Sequence, residues 1–138
     1  MTDRSVILVV EDHRETRTFL DLALSDKYRV ETAESAAHAL EKTAQTEYDI
    51  LLVDIALRDT MDGMELVQRL REDQRYSDTP MIAMTAHQLH EEREHYLGGG
   101  FDAFLAKPFY PQDLLALIER LLSEGRQEPS SPPGDRAQ

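Results

Sequence analysis

Five short runs of strand-forming residues, each followed by a helix-length amphipathic segment, leave this chain few architectures to adopt. The runs are Val6–Val10, Tyr28–Ala33, Ile50–Asp54, Met81–Thr85 and Phe101–Ala106. Val6–Val10 and Ile50–Val53 are continuously apolar, as suits strands covered on both faces of a sheet. Tyr28–Ala33 (YRVETA) alternates and reads as a strand nearer an edge. Between them, Phe19, Leu20, Ala23 and Leu24 share one helical face. Ser35 can cap a helix carrying Ala36, Ala39, Leu40 and Thr43. Leu66, Val67 and Leu70 follow Gly63. AHQLHEEREHYL is helix-like but polar, with Leu89, Tyr96 and Leu97 as anchors, and Gly98-Gly99-Gly100 stops it. Leu114, Leu115, Ile118, Leu121 and Leu122 form the last stripe. Strict alternation predicts an α/β fold: an open five-stranded parallel sheet of (βα)5 units, with right-handed crossovers and helices on both faces. Five units do not close a barrel.

Composition narrows the function. Among 138 residues, 27 acidic against 15 basic give a net charge of −12. No basic patch is available to neutralise phosphates, so nucleic acid and anionic membrane are not expected partners. No apolar run reaches bilayer length and the N-terminus lacks a signal-peptide pattern, so a cytoplasmic location is expected. The chain has no cysteine, which excludes disulfides, thiol nucleophiles and cysteine-based zinc sites. Residues 123–138, SEGRQEPSSPPGDRAQ, hold no large apolar residue. They are expected to form a disordered tail beyond a single domain at 1–122, too short for an output domain.

In such a sheet every strand ends on one edge, and ligands bind there at the point where strand order reverses. The expected strand ends carry Glu11 and Asp12, then Asp54, Thr85 and Lys107. Three crowded carboxylates stay ionised together only beside a multivalent cation. Magnesium takes oxygen ligands, commonly few carboxylates plus a phosphate oxygen. One carboxylate could then attack phosphorus while Lys107 and the Thr85 hydroxyl cover the equatorial oxygens. Asp54, on the expected central strand, suits the nucleophile.

With ILVVED, DILLVDIAL, MDGMELVQRLR, MTA and FLAKPF in this order, the chain resembles a response-regulator receiver domain of the CheY-like superfamily, from about Ser5 to Leu122. The resemblance implies a flavodoxin-like fold and phosphorylation on Asp54 with Mg2+. The metal would be held by Glu11, Asp12, Asp54 and the backbone carbonyl of Ala56. It implies a switch hydroxyl at Thr85, a switch aromatic at Phe104, a phosphate-binding ammonium at Lys107 and a cis Lys107–Pro108 bond. Ala56 and His87 fall where the family tunes acyl-phosphate lifetime; Ala56 has no side chain able to position water, whereas His87 has. Arg58 stands where the family usually has proline, the loop from Leu57 to Gly63 is one residue longer than the commonest form, and Phe104 lacks the hydroxyl of the tyrosine often found there. The implied partners are a histidine kinase or histidine phosphotransfer protein as donor and an effector protein. The exposed side of the last two helices and the strand between them is the expected partner surface, and a homodimer through those two helices is an alternative use of it.

Rival readings are weaker. A magnesium-dependent aspartate-nucleophile phosphatase usually has a second Asp two residues after the nucleophile, where this chain has Ala56. A receiver-fold binding module working without phosphorylation would not need the complete residue set. His87, His90 and His95 read as a solvated helix rather than a metal site. His13 reads as a helix-capping surface residue. DTMDG fails as a calcium loop because Arg58 and Arg69 fall at ligand positions.

Overall fold

The computed structural model describes residues 4–58, 60–86 and 97–124. In chain order these form β1 (Val6–Val10), α1 (Arg14–Leu24), β2 (Arg29–Ala33), α2 (Ala36–Gln45), β3 (Ile50–Asp54), α3 (Gly63–Arg71), a 3-10 turn (Gln74–Tyr76), β4 (Met81–Thr85), β5 (Ala103–Ala106) and α4 (Pro111–Glu124). The five strands make one parallel sheet in the order β2-β1-β3-β4-β5. Chain order therefore reverses between β1 and β3, and their ends frame the crevice expected to hold a ligand.

Alternate strand residues feed two separate cores. Leu8, Val10, Leu51, Val53, Met81 and Ala83 pack with Ala36 and Ala39 of α2 and Leu66, Val67 and Leu70 of α3. Ile7, Val9, Ile50, Leu52, Ile82 and Met84 face Leu20 and Leu24 of α1 and Leu114, Ile118 and Leu121 of α4. The period-2 side-chain direction of a strand explains the split, and helices cover both faces as the apolar runs require. Each fully buried leucine or isoleucine contributes about 1.5–3 kcal/mol of transfer free energy.

Local sequence shapes the element ends. The Ser35 side chain accepts from the His38 N–H and starts α2. Asp62 and Glu65 form a reciprocal capping box that starts α3: Asp62 accepts from the Glu65 N–H at 2.9 Å, and Glu65 from the Asp62 N–H at 3.1 Å. Arg71 closes α3 by donating to the carbonyls of Tyr76 and Thr79, both at 2.7 Å, and of Gly100 at 2.8 Å. It also pairs with Asp102 at 2.8 Å. Asp102 in turn accepts from the Met81 N–H at 2.9 Å, so one guanidinium ties α3, the 3-10 turn and the starts of β4 and β5 together. Gly100 adopts a φ of +124°, which side-chain-bearing residues resist.

Several expectations need adjustment. Phe19 is 43% exposed, so the buried face of α1 rests on Leu20 and Leu24 instead. The last strand begins at Ala103; Phe101 is buried in the turn before it. The 3-10 turn, capped by Asp73, was not anticipated. The last helix continues through Glu124, two residues past the expected boundary, and residues 125–138 lie outside the described residues. So does most of the polar helix expected around His87, His90 and His95. Among the described residues, no helix is long and apolar enough to cross a membrane.

Candidate functional site

β1 delivers Glu11 and Asp12 to the edge of the sheet. The Glu11 N–H donates to the carbonyl of Ala33, the last residue of β2, at 3.0 Å. Arg17 of α1 holds the Glu11 carbonyl from its other side, at 2.9 Å. The Glu11 carboxylate is wholly buried. Its Oε1 accepts from Lys107 Nζ at 3.0 Å, and its Oε2 from the His13 N–H at 3.1 Å. Asp12 is better exposed. Its Oδ2 accepts from the Arg58 N–H at 3.0 Å. Its Oδ1 is shielded from solvent, makes no hydrogen bond and lies 3.3 Å from His13 Nδ1.

β3 delivers Asp54, which is 4% exposed. Asp54 sits opposite Met84 of β4, and the Ile55 N–H extends the ladder to the Met84 carbonyl at 3.0 Å. Asp54 Oδ1 accepts from the Ala56 N–H at 2.9 Å, and Oδ2 from Lys107 Nζ at 3.2 Å. Gly63, the first residue of α3, rests directly on this strand end. A Cβ built there would lie 2.4 Å from the Asp54 carbonyl oxygen and 2.9 Å from the Ile55 Cα, so only glycine allows the approach.

Lys107 follows β5, its peptide bond to Pro108 is cis, and its N–H donates to the Thr85 carbonyl at 2.7 Å. The ammonium therefore reaches back over the sheet edge to two carboxylates. Burial works against its charge, but the Glu11 hydrogen bond and the charges of Asp54 and Glu11 outweigh it, and the Lys107 pKa is raised. Burial pushes the Glu11 carboxyl upward, ahead of the lowering effects of the His13 N–H and Lys107. The Lys107 ammonium thus serves two carboxylates, Glu11 and Asp54, and burial outweighs its charge at Glu11.

The fold therefore brings Glu11, Asp12, Asp54 and Lys107 into one crevice. Thr85 ends β4 at the same edge, 3% exposed. Phe104 lies on β5 in register with Ala83 and packs against the α2–α3 core. Ala56 sits in the turn after β3 with its side chain exposed. His87 lies outside the described residues.

His13 departs from its expected role. It occupies the N-cap position of α1, yet its side chain makes no capping hydrogen bond. Its Nδ1 instead turns toward the acid pair, 3.2 Å from Glu11 Oε2. Glu11, Asp12, His13 and Asp54 each offer a ligand atom within 4.8 Å of the others. That donor set, with the unbonded Asp12 Oδ1 among it, fits a divalent cation with room left for water.

The family model for the response regulator receiver domain matches residues 7–119. The chain belongs to the response-regulator receiver family. Receivers of this family serve two-component signal transduction. This receiver is 36% identical over 115 residues to an uncharacterised 14.6 kDa protein of Leptolyngbya boryana, covering 83% of this chain and 87% of that one. Other curated relatives are longer, and the receiver spans 51% and 59% of two of them. Its fold matches the chemotaxis response regulator CheY4 of Vibrio cholerae with a TM-score of 0.82 at 29% identity, over 86% of this chain and 98% of that one. It also matches the receiver domain of sensor histidine kinase PA1611 of Pseudomonas aeruginosa, with a TM-score of 0.80 at 30% identity, over 87% and 98% of the two chains. That structure has a magnesium ion coordinated in its active site cleft.

Two features of the receiver's site escaped sequence reasoning. His13 directly follows the acid pair, which was the available signal. The Arg58 N–H bond to Asp12 was foreshadowed only by the absence of proline, which could not have donated it.

Proposed function

We propose that this receiver is a phosphoacceptor in a two-component or phosphorelay system, taking a phosphoryl group onto Asp54 from the histidine of a kinase or phosphotransfer partner. The observation that carries this reading is the position of Asp54: a nearly buried carboxylate at the switch point of the sheet, touched by Lys107 and flanked by Glu11 and Asp12. An Asp54 carboxylate oxygen attacks phosphorus, the phosphorus–nitrogen bond to the partner's imidazole breaks, and an acyl phosphate forms. Lys107, already held between Glu11 and Asp54, places its charge on a phosphoryl oxygen as that group arrives. Glu11, Asp12, Asp54 and the Ala56 carbonyl would hold Mg2+, which supplies the positive charge that lets the carboxylates stay ionised beside a phosphoryl group.

The Thr85 hydroxyl then follows the new phosphoryl oxygens and the Phe104 ring rotates with it. An effector protein reads the altered surface near β5 and α4. Ala56 and His87 border the path by which water would hydrolyse the acyl phosphate. The receiver is a regulator rather than a turnover enzyme, and a cytoplasmic setting with residues 1–122 as the signalling unit suits this role.

The test is incubation with Mg2+ and a small phosphodonor, followed by intact-mass measurement. One alkali-labile phosphoryl group is expected on the wild type and none on Asp54→Asn. Equal uptake by the variant would overturn the assignment.

A further inference from the structure

One donor at this site falls outside the carboxylate set that the family resemblance implies. The His13 imidazole is 53% exposed, yet its Nδ1 edge faces the acid pair. Its Nδ1 lies 3.2 Å from Glu11 Oε2 and 3.3 Å from Asp12 Oδ1, and it leaves the start of α1 uncapped to do so. The backbone reinforces this posture, since the His13 N–H also bonds Glu11 Oε2. Asp12 is fixed from the far side by the Arg58 N–H on Oδ2, which leaves the shielded and unbonded Oδ1 facing the imidazole.

We infer that His13 is a fifth protein donor to the divalent cation, beside the three carboxylates and the Ala56 carbonyl, and that it widens the site's choice from magnesium toward cations that accept nitrogen. The inference rests on the reading of this crevice as a cation site. With its proton on Nε2, the ring presents the Nδ1 lone pair among the carboxylate oxygens of Glu11, Asp12 and Asp54. Magnesium gains little from such a donor because it prefers oxygen and keeps its waters. Cobalt(II) and manganese(II) accept imidazole, and cobalt binds nitrogen more strongly of the two. A histidine serving only to neutralise the acid pair would behave differently. Every cation would displace it alike, and its removal would leave the order of cations unchanged.

The experiment is calorimetric titration of the full chain with Mg2+ and with Co2+, counting only Co2+ that Mg2+ displaces, for wild type and His13→Ala. The expected result is a loss of Co2+ affinity of about tenfold or more with Mg2+ affinity altered by less than about threefold. Equal losses, equal gains or no change in either cation would overturn the role of His13 while leaving the cation site standing. A wild type that binds neither cation would overturn both. Should His13→Ala not fold, the same two titrations of His13→Gln decide. A loss confined to Co2+ supports the inference, and equal losses or no loss overturn it.

Discussion

Lys107 and Glu11 carry the tension of this site. Glu11 is fully buried yet ionisable, and Lys107 is the cation within hydrogen-bond reach of both Glu11 and Asp54. Truncating one partner of a buried charge cluster leaves the others uncompensated. Lys107→Ala, with divalent cations chelated, is therefore expected to lower the unfolding free energy by about 2–4 kcal/mol in urea. Added Mg2+ should narrow that gap by binding the folded state alone. A deficit that Mg2+ leaves untouched would remove Lys107 from the charge balance of the crevice. Asp54 and Lys107 were legible in the sequence because each directly follows a strand-length apolar run, where a charge needs a reason. His13 was not, because a histidine beside acids at a helix start looks like a cap. Only coordinates reveal which way its ring turns.

At the level of elements, the junction of β3 and α3 governs where Asp54 stands. Gly63 lets the first turn of α3 rest on the Asp54 carbonyl, with no side chain between helix and strand. Gly63→Ala must push backbone against backbone. Its expected effects are a stability loss of about 1–3 kcal/mol, seen by thermal unfolding, and a phosphodonor reaction slowed by roughly tenfold to a hundredfold as Asp54 shifts. Normal kinetics in a folded variant would contradict the close approach. The helices that packed as expected had clear stripes, such as Leu66, Val67 and Leu70. The 3-10 turn went unread because it spans only Gln74–Tyr76, too short for any periodicity. Its signal was local: Asp73 as a cap, Tyr76 as a lone apolar residue, and Pro80 closing the segment. The Asp62–Glu65 capping box was equally visible as a D-x-x-E spacing ahead of an apolar stripe.

Across the whole molecule, the open parallel sheet with helices on both faces followed from strict strand–helix alternation, whereas strand order and long-range polar ties did not. Tyr48, at the entry to β3, donates its hydroxyl to Glu31 of the edge strand β2 at 2.6 Å, and its N–H donates to the Tyr76 hydroxyl at 3.2 Å. No spacing rule pairs residues 17 and 28 positions apart. Burial, then the hydrogen bond and charge of Glu31, push the Tyr48 phenol well above its usual range. Its folded value exceeds its unfolded one, so the stabilisation is complete below about pH 10 and fades as pH climbs toward the folded value. Tyr48→Phe should cost about 1 kcal/mol at pH 7 from the lost hydrogen bond. The difference from wild type should shrink in urea unfolding above about pH 10; a constant difference would place the phenol in solvent.

The hydrogen bond from the Gly63 N–H to the Ile55 carbonyl, at 3.3 Å, closes residues 56–62 into a loop whose two ends belong to the sheet and to α3. A segment tied in this way responds to length as a polymer does, and doubling it costs only about 0.6 kcal/mol of closure entropy. The one residue by which this loop is expected to exceed the family's commonest form would thus be nearly neutral for stability. Changes in loop length can therefore be absorbed at the rim of the crevice while Asp54, at the end of β3, keeps its place.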